Sequence, residues 1–177
     1  GQYDRLPAMA ADLIHRQVTV IAAVTTPAAL AAKAATATIP IVFTTISNPV
    51  QIGLVASLSR PGGNVTGVTQ LNVEVAPKRL ELMHEVVPTA TIMAALLNPA
   101  YPSAETQLRD LQAAARSLVL QLHVLRASNA RDVDGAFTTL AQLRAGALVI
   151  SSDPFFNSRT EQLAALALRH AVPTIFQ

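Results

Sequence analysis

Polar segments containing proline follow four apolar runs, and they hold most of the residues suited to binding a ligand. These segments are Thr25-Thr26-Pro27, Ser47-Asn48-Pro49, Asn98-Pro99 and Ser152-Asp153-Pro154. In open α/β sheets, ligands bind at the carboxyl ends of the strands, where the following helices present free N–H groups. The recurrence of the segments therefore predicts a site for a small polar solute. The alternative is that each one caps its helix for stability alone.

Asp153 is the only carboxylate in these four segments. Phe155 and Phe156 follow it, in a chain with only 4% aromatic residues. A carboxylate beside an apolar wall is suited to a ligand ammonium, whereas the other interpretation is a helix cap with two core phenylalanines. Tyr101 is open to the same choice, because it could stack on a ligand ring or cover the edge of a domain.

Catalytic and metal chemistry is not indicated. The four histidines fall inside predicted helices or strands without the spacing of metal ligands, at His15, His84, His123 and His170. The absence of cysteine excludes thiolate sites, and no nucleophile elbow, P-loop or dinucleotide fingerprint is present. We predict no catalytic residue, no metal and no cofactor. A doubly wound enzyme is the remaining catalytic hypothesis, with Asp153 as its only candidate base.

Composition indicates a packed domain with no nucleic-acid surface. Of the 177 residues, 51% are apolar and 14% are charged, which is ample for a core. The net charge is +2, and the basic residues are scattered except for the adjacent pair Lys78-Arg79. The apolar stretch 18–46 contains Pro27 and Pro40 and many threonines, which favours strand, helix and strand over a membrane span.

Helical and strand patterns alternate along the chain. Strands are predicted at 18–24, 40–46, 65–69, 91–97, 121–126, 147–150 and 172–176. Helices are predicted at 4–16, 27–37, 50–58, 74–87, 104–118, 129–144 and 158–170, the last opening with a capping box of Ser158 and Glu161. The alternation predicts an α/β fold with doubly wound parallel sheets. The segment 60–72, which opens with Arg-Pro-Gly-Gly-Asn, separates two halves with similar patterns, and we interpret it as a crossover between two lobes.

Several blocks together resemble one protein family. They are Gly1-Gln2-Tyr3-Asp4-Arg5-Leu6-Pro7, Thr26-Pro27-Ala28-Ala29, residues 39–43, Asn48-Pro49-Val50, residues 53–58, residues 60–67, residues 78–82, Leu97-Asn98-Pro99 and Asp153-Pro154-Phe155-Phe156. The chain is similar over its whole length to the ABC transporter substrate-binding proteins of the tryptophan/tyrosine type. Residues 60–67, Arg-Pro-Gly-Gly-Asn-Val-Thr-Gly, are the most specific block.

The resemblance implies a type I periplasmic-binding-protein fold, with two parallel-sheet lobes that close on a ligand. Lobe one would span 1–67 without its first strands, and lobe two 68–177 without its last elements. The hinge crossing would lie at about 64–72, with Gly67, Thr69 and Gln70 at the pivot and Asn72 near the cleft. Family members are longer at both ends, so we expect this chain to be a piece without a signal peptide.

The resemblance also implies the ligand contacts, position by position. Lobe one would contribute Thr25, Thr26, Ser47 and Asn48. Lobe two would contribute Asn98, Tyr101, Ser103, Asp153 and Phe155, with Asp153 facing an ammonium. Asn48 stands where relatives often carry aspartate, so the ligand is not carried over from the family.

The expected function is extracytoplasmic solute binding for an ABC importer. The protein would be periplasmic or lipid-anchored, monomeric, and a partner of a membrane permease, with a small ligand such as an aromatic amino acid and no nucleic acid. The alternative is a ligand-sensing regulatory or receptor domain, because one fold serves several functions.

Overall fold

The computed structural model describes residues 3–177, so the first two residues of the Gly1-Gln2-Tyr3 block and of the expected lobe one lie outside the described part. The chain divides into two compact units, the first ending at Leu71 and the second comprising Asn72–Gln177. Each unit contains a parallel sheet with helices packed on it. The predicted α/β fold class with parallel sheets is therefore confirmed.

The first unit contains a three-stranded parallel sheet in the order β1-β2-β3. Its elements in chain order are a 3-10 turn at Tyr3–Arg5, α1 (Leu6–His15), β1 (Ile21–Ala23), α2 (Thr26–Ala35), β2 (Ile41–Thr45) and β3 (Val65–Thr69). Ile21 pairs with Ile41, and Ile41 pairs with Val65. These three side chains join one buried core with the alanines of α2, because side chains alternate between the faces of a strand. The opposite face of the same sheet exposes Val42 of β2 and Val68 of β3.

The predicted helix at 50–58 is wrong, because that segment forms a series of turns. The Asn48 side chain accepts hydrogen bonds from Val50 N at 3.1 Å and Gln51 N at 3.3 Å, which starts the first turn. Gly53 then takes a left-handed φ of 69° that a helix cannot continue. Leu54 follows, and it is buried in the core of the first unit. A tertiary contact thus outweighs the helical pattern.

The first strand is shorter than predicted. α1 ends at His15, and Gln17 takes a left-handed φ of 53°, so that Val18 N donates to Leu13 O at 3.4 Å. This helix ending uses part of the segment 18–24 that the apolar run assigned to the strand. β1 therefore begins only at Ile21.

The second unit contains a four-stranded parallel sheet in the order β5-β4-β6-β7. Its elements are α3 (Ala76–Val86), β4 (Ile92–Leu97), α4 (Ala104–Ser117), β5 (Gln121–Arg126), α5 (Ala130–Leu143), β6 (Ala147–Ile150), α6 (Pro154–Asn157), α7 (Thr160–Arg169) and β7 (Thr174–Ile175). On β4, Met93 and Ala95 join the core formed with α3 and α4. Leu96 joins the core formed with α5, α6 and α7. The continuous apolar strand is therefore buried on both faces, as expected for a parallel sheet.

The predicted capping box of Ser158 and Glu161 is wrong. The short helix α6 occupies Pro154–Asn157, so Ser158 lies at its carboxyl end, and its Oγ donates to Phe155 O at 2.8 Å. Arg159 stands at the start of α7 without a side-chain cap. Glu161 still lies in the first turn of α7, where a negative charge is favourable.

None of the helices within residues 3–177 combines the length and the apolar composition that crossing a bilayer requires.

Candidate functional site

Asn98 and Asp153 meet at the carboxyl edge of the second sheet. Their strands β4 and β6 are neighbours, with Leu96 paired to Ile150. Asn98 Nδ2 donates to Asp153 Oδ2 at 2.8 Å across 55 residues of sequence. Both side chains are buried. The structure thus brings together two of the predicted site residues from separate polar segments.

Asp153 also caps α6. Its Oδ1 accepts a hydrogen bond from Phe155 N at 2.6 Å, while its Oδ2 accepts from Asn98. An N-cap carboxylate satisfies an N–H group that the helix leaves unpaired and lies at the positive end of the helix dipole. Both carboxylate oxygens therefore have protein partners, and the charge is held at a fixed place at the edge of the sheet.

The loop after β4 carries two more predicted residues, Tyr101 and Ser103. Asn98 Oδ1 accepts from Ala100 N at 3.0 Å, and Asn98 O accepts from Tyr101 N at 3.1 Å, so the asparagine holds the turn. Tyr101 and Ser103 are both buried. Ser103 precedes α4 without capping it by its side chain. The side chains of this loop thus pack into the second unit, to which the loop belongs.

Phe155 packs inside the second unit. The Arg159 guanidinium lies 4.1 Å from the centre of its ring, and the Phe156 ring meets it edge-on at 5.1 Å. Both phenylalanines belong to the core beside α7. A cation over the ring face and an edge-on aromatic neighbour are favourable for a phenylalanine. The aromatic pair therefore supports the short helix that Asp153 caps.

Gln107 is a residue that the sequence interpretation missed. Its Oε1 accepts from Ser152 N at 2.9 Å, and its Nε2 donates to Ser152 O at 3.1 Å. The side chain is buried and holds the main chain next to Asp153. Its signal in the sequence is a polar residue at a core-facing helical position, four residues before the buried Leu111.

Arg79 is a second missed residue. Its Nη1 donates to Ser152 Oγ at 2.7 Å, and Ser152 Oγ in turn donates to Asn72 O at 3.2 Å. Burial lowers the pKa of the Arg79 guanidinium below its ordinary value, because desolvation disfavours the charged form. The sequence interpretation noted Arg79 only as part of a basic pair and of the block 78–82 that resembles the family. The structure separates that pair, since Lys78 is exposed and bonded to Glu81 at 3.0 Å.

In the first unit, buried hydroxyl groups cluster at the carboxyl edge of the sheet. Thr25 Oγ1 accepts from Ala28 N at 3.3 Å and caps α2. Thr26 Oγ1 bonds to Thr45 Oγ1 and lies 3.3 Å from Ser47 Oγ. The side chains of Thr26, Thr45 and Ser47 are all buried. The predicted residues Thr26 and Ser47 therefore meet, and Thr45 joins them as a residue that sequence reasoning had placed inside a strand.

The segment after β3 is bonded to the same cluster. Thr69 Oγ1 donates to Ser47 O at 2.8 Å and accepts from Leu71 N at 3.2 Å. Gln70 N donates to Thr45 O at 3.0 Å. Leu71, the last residue of the first unit, has a left-handed φ of 52°, which is uncommon for residues other than glycine. The predicted hinge residues thus continue the hydrogen bonding of the sheet, and their pivot role stays a prediction.

Gly67 is required for close packing. A Cβ at this position would lie 2.1 Å from Phe43 O and 2.7 Å from the Phe43 ring. Any side chain would therefore push β3 away from β2. This reason is independent of hinge motion.

The profile described as ABC transporter substrate binding protein matches residues 1–177. The chain belongs to this family. It has the type I periplasmic-binding-protein fold that the sequence resemblance implied.

Three similar proteins illustrate the relationship. A tyrosine-binding protein of Clostridioides difficile is 29% identical over 168 residues, covering 94% of this chain and 48% of the relative. The ABC domain of Streptococcus pneumoniae, solved in complex with L-Trp, has a TM-score of 0.84 at 23% identity. The match covers 98% of this chain and 59% of that domain's chain. A conserved domain protein of Vibrio cholerae has a TM-score of 0.86 at 27% identity, and the match covers 98% of this chain and 58% of that protein. The chain spans about half the length of the curated relative it matches.

Proposed function

We propose that the chain is part of the extracytoplasmic solute-binding component of an ABC importer. It captures a small ligand, with amino acids that carry an aromatic side chain as the preferred class, and delivers it to a membrane permease without chemical change. The curated relative is named a tyrosine-binding protein, and one structural relative was solved with L-Trp, which supports this ligand class. The family membership of the chain supports the transport context.

The bonded pair Asn98 and Asp153 is the observation that carries the proposal. A carboxylate held away from water attracts an ammonium more strongly than an exposed one, because the local dielectric constant is lower. Asp153 contributes this charge and orients the amide of Asn98, which is bonded to it at 2.8 Å. The remaining proposed contacts are Thr25, Thr26, Ser47 and Asn48 in the first unit and Tyr101, Ser103 and Phe155 in the second.

Ligand capture by the two lobes requires a change in their arrangement, as in hinge closure of binding proteins. We place this change at the crossing 64–72, with Gly67, Thr69 and Gln70 at the pivot. No chemical step, metal or cofactor is part of the proposal.

Titration calorimetry with the twenty amino acids tests the proposal. The complete polypeptide, with any residues that flank these 177, should bind L-tyrosine or L-tryptophan more tightly than aliphatic amino acids. Replacing Asp153 with alanine should weaken that binding more than about tenfold, as expected for the loss of a charged partner.

Asp134→Ala is the matched control, because Asp134 is an exposed aspartate on α5. It should leave the affinity unchanged. If Asp153→Ala bound the amino acid with the same affinity as the unmodified protein, Asp153 would serve only as a helix cap. Absence of binding by any amino acid would overturn the proposed ligand class.

A further inference from the structure

Arg79 carries a half-buried positive charge whose side chain has a single hydrogen-bond partner among residues 3–177. Its guanidinium has five N–H donors, and within residues 3–177 its one hydrogen bond is from Nη1 to Ser152 Oγ at 2.7 Å. No carboxylate of the described residues lies within ion-pair distance of it. The adjacent Lys78 differs, because it is exposed and pairs with Glu81 at 3.0 Å.

A charge that is partly removed from water without a counter-charge is unfavourable. Buried charged groups in proteins are normally paired or bound to a ligand, because desolvation otherwise costs several kcal/mol. The lowered pKa of Arg79 reports the same uncompensated burial. A half-buried guanidinium with unused N–H donors is therefore suited to bind an anionic group of a ligand.

The surroundings hold the Arg79 guanidinium in place. Gln107 fixes the main chain of Ser152 with hydrogen bonds of 2.9 and 3.1 Å. Ser152 Oγ donates to Asn72 O at 3.2 Å, which turns its lone pairs toward Arg79. A binding group whose orientation is set before the ligand arrives loses less entropy on binding. Ser152 and Gln107 are therefore positioning residues for Arg79.

Arg79 is bonded to the residue that precedes Asp153, the proposed partner of the ligand ammonium. Ser152 directly precedes Asp153 at the end of β6, so Arg79 reaches the same edge of the sheet through its bond to Ser152. A fixed cation and a fixed carboxylate at one edge are complementary to a zwitterion. Arginine also suits a carboxylate, since its planar fork can donate two parallel hydrogen bonds.

We propose that Arg79 binds the carboxylate of the amino-acid ligand, while Asp153 attracts its ammonium. This inference rests on the proposed function and adds that the second unit selects α-amino acids by both of their charges. A ligand with a neutral group in place of the carboxylate then loses the contribution of Arg79.

Two probe pairs test the inference, L-tyrosine with L-tyrosinamide and L-tryptophan with L-tryptophanamide, because each amide keeps the ammonium and the ring but has no carboxylate. Calorimetry with the complete polypeptide should show the acids binding at least about tenfold tighter than the amides. In Arg79→Gln the acids should lose about ten- to a hundredfold in affinity, and the preference over the amides should disappear. Lys78→Gln, the neighbouring control, should keep the full preference.

The outcomes separate the two proposals. Failure of the unmodified protein to bind any of the four probes overturns the proposed function and the inference with it. Binding of the acids with an unchanged preference in Arg79→Gln overturns the inference alone. A loss of equal size for acids and amides also overturns it, since Arg79 would then act only on the fold. Arg79→Lys, which keeps the charge, should retain part of the preference for the acids. If circular dichroism shows that Arg79→Gln is unfolded, Arg79→Lys replaces it in the test, and an unchanged preference in Arg79→Lys then overturns the inference.

Discussion

Replacing Gln107 with leucine should destabilise the second unit by about 2 kcal/mol. The change removes the bonds at 2.9 and 3.1 Å and leaves the N–H and C=O groups of Ser152 without their partner. Each buried polar group left unpaired costs about 1–3 kcal/mol, or about 4 kcal/mol for the two. Burial of the leucine side chain offsets about 2 kcal/mol of this. Leucine and glutamine have similar helix propensities, so the helix itself contributes little.

Urea denaturation followed by circular dichroism measures this difference in the free energy of unfolding. Gln112→Leu is the matched control, because Gln112 lies on the same helix, α4, with an exposed side chain. It should change the stability by no more than about 0.5 kcal/mol. Equal stability of the two variants would refute the view that Gln107 supports Ser152, and the positioning role given to it for Arg79 would fall as well.

Two further predictions concern a close contact and a titrating group. Gly67→Ala should destabilise the protein by about 1–3 kcal/mol in thermal unfolding, since its Cβ would lie 2.1 Å from Phe43 O. Gly135→Ala on α5 has open space and should stabilise it by about 0.5–1 kcal/mol, and the reverse order would contradict the packing argument. Hydrogen bonds from Ser128 lower the pKa of Asp132, so their stabilisation is complete above the unfolded pKa and is lost as the pH falls through the folded one. NMR titration of Ser128→Ala should show the pKa of Asp132 rising toward its ordinary value, and an unchanged titration would contradict this cause.

Local features of the fold could be predicted from the residues themselves. Thr25 belongs to a polar segment suited to helix capping, and Asn129 opens the predicted helix 129–144. Each accepts the main-chain hydrogen bond of a helix cap, from Ala28 N at 3.3 Å and Asp132 N at 3.0 Å. Such features depend on interactions within about one helical turn, which the order of residues specifies directly.

The wrong predictions lie where distant residues intervene. The segment 50–58 has apolar residues at helical spacing, yet Lys33 Nζ donates to Gly53 O at 2.6 Å, and Leu54 is buried in the core of the first unit. At Ser158, the short helix α6 displaces the expected capping box, because Asp153 starts a helix five residues earlier. In both places, local preferences of similar size compete, and packing decides between them.

The candidate site shows the same division. The sequence alone determined that polar residues follow the strands and that Asp153 is the one carboxylate among them, because capping and strand patterns are local. The tertiary structure decided which of these residues meet. Asn98 reaches Asp153 across 55 residues because β4 and β6 are neighbours, an order that the strand patterns do not encode. Arg79 and Gln107 reach Ser152 because α3 and α4 pack on one face of the sheet, and only that packing turns two ordinary helical residues toward the end of β6.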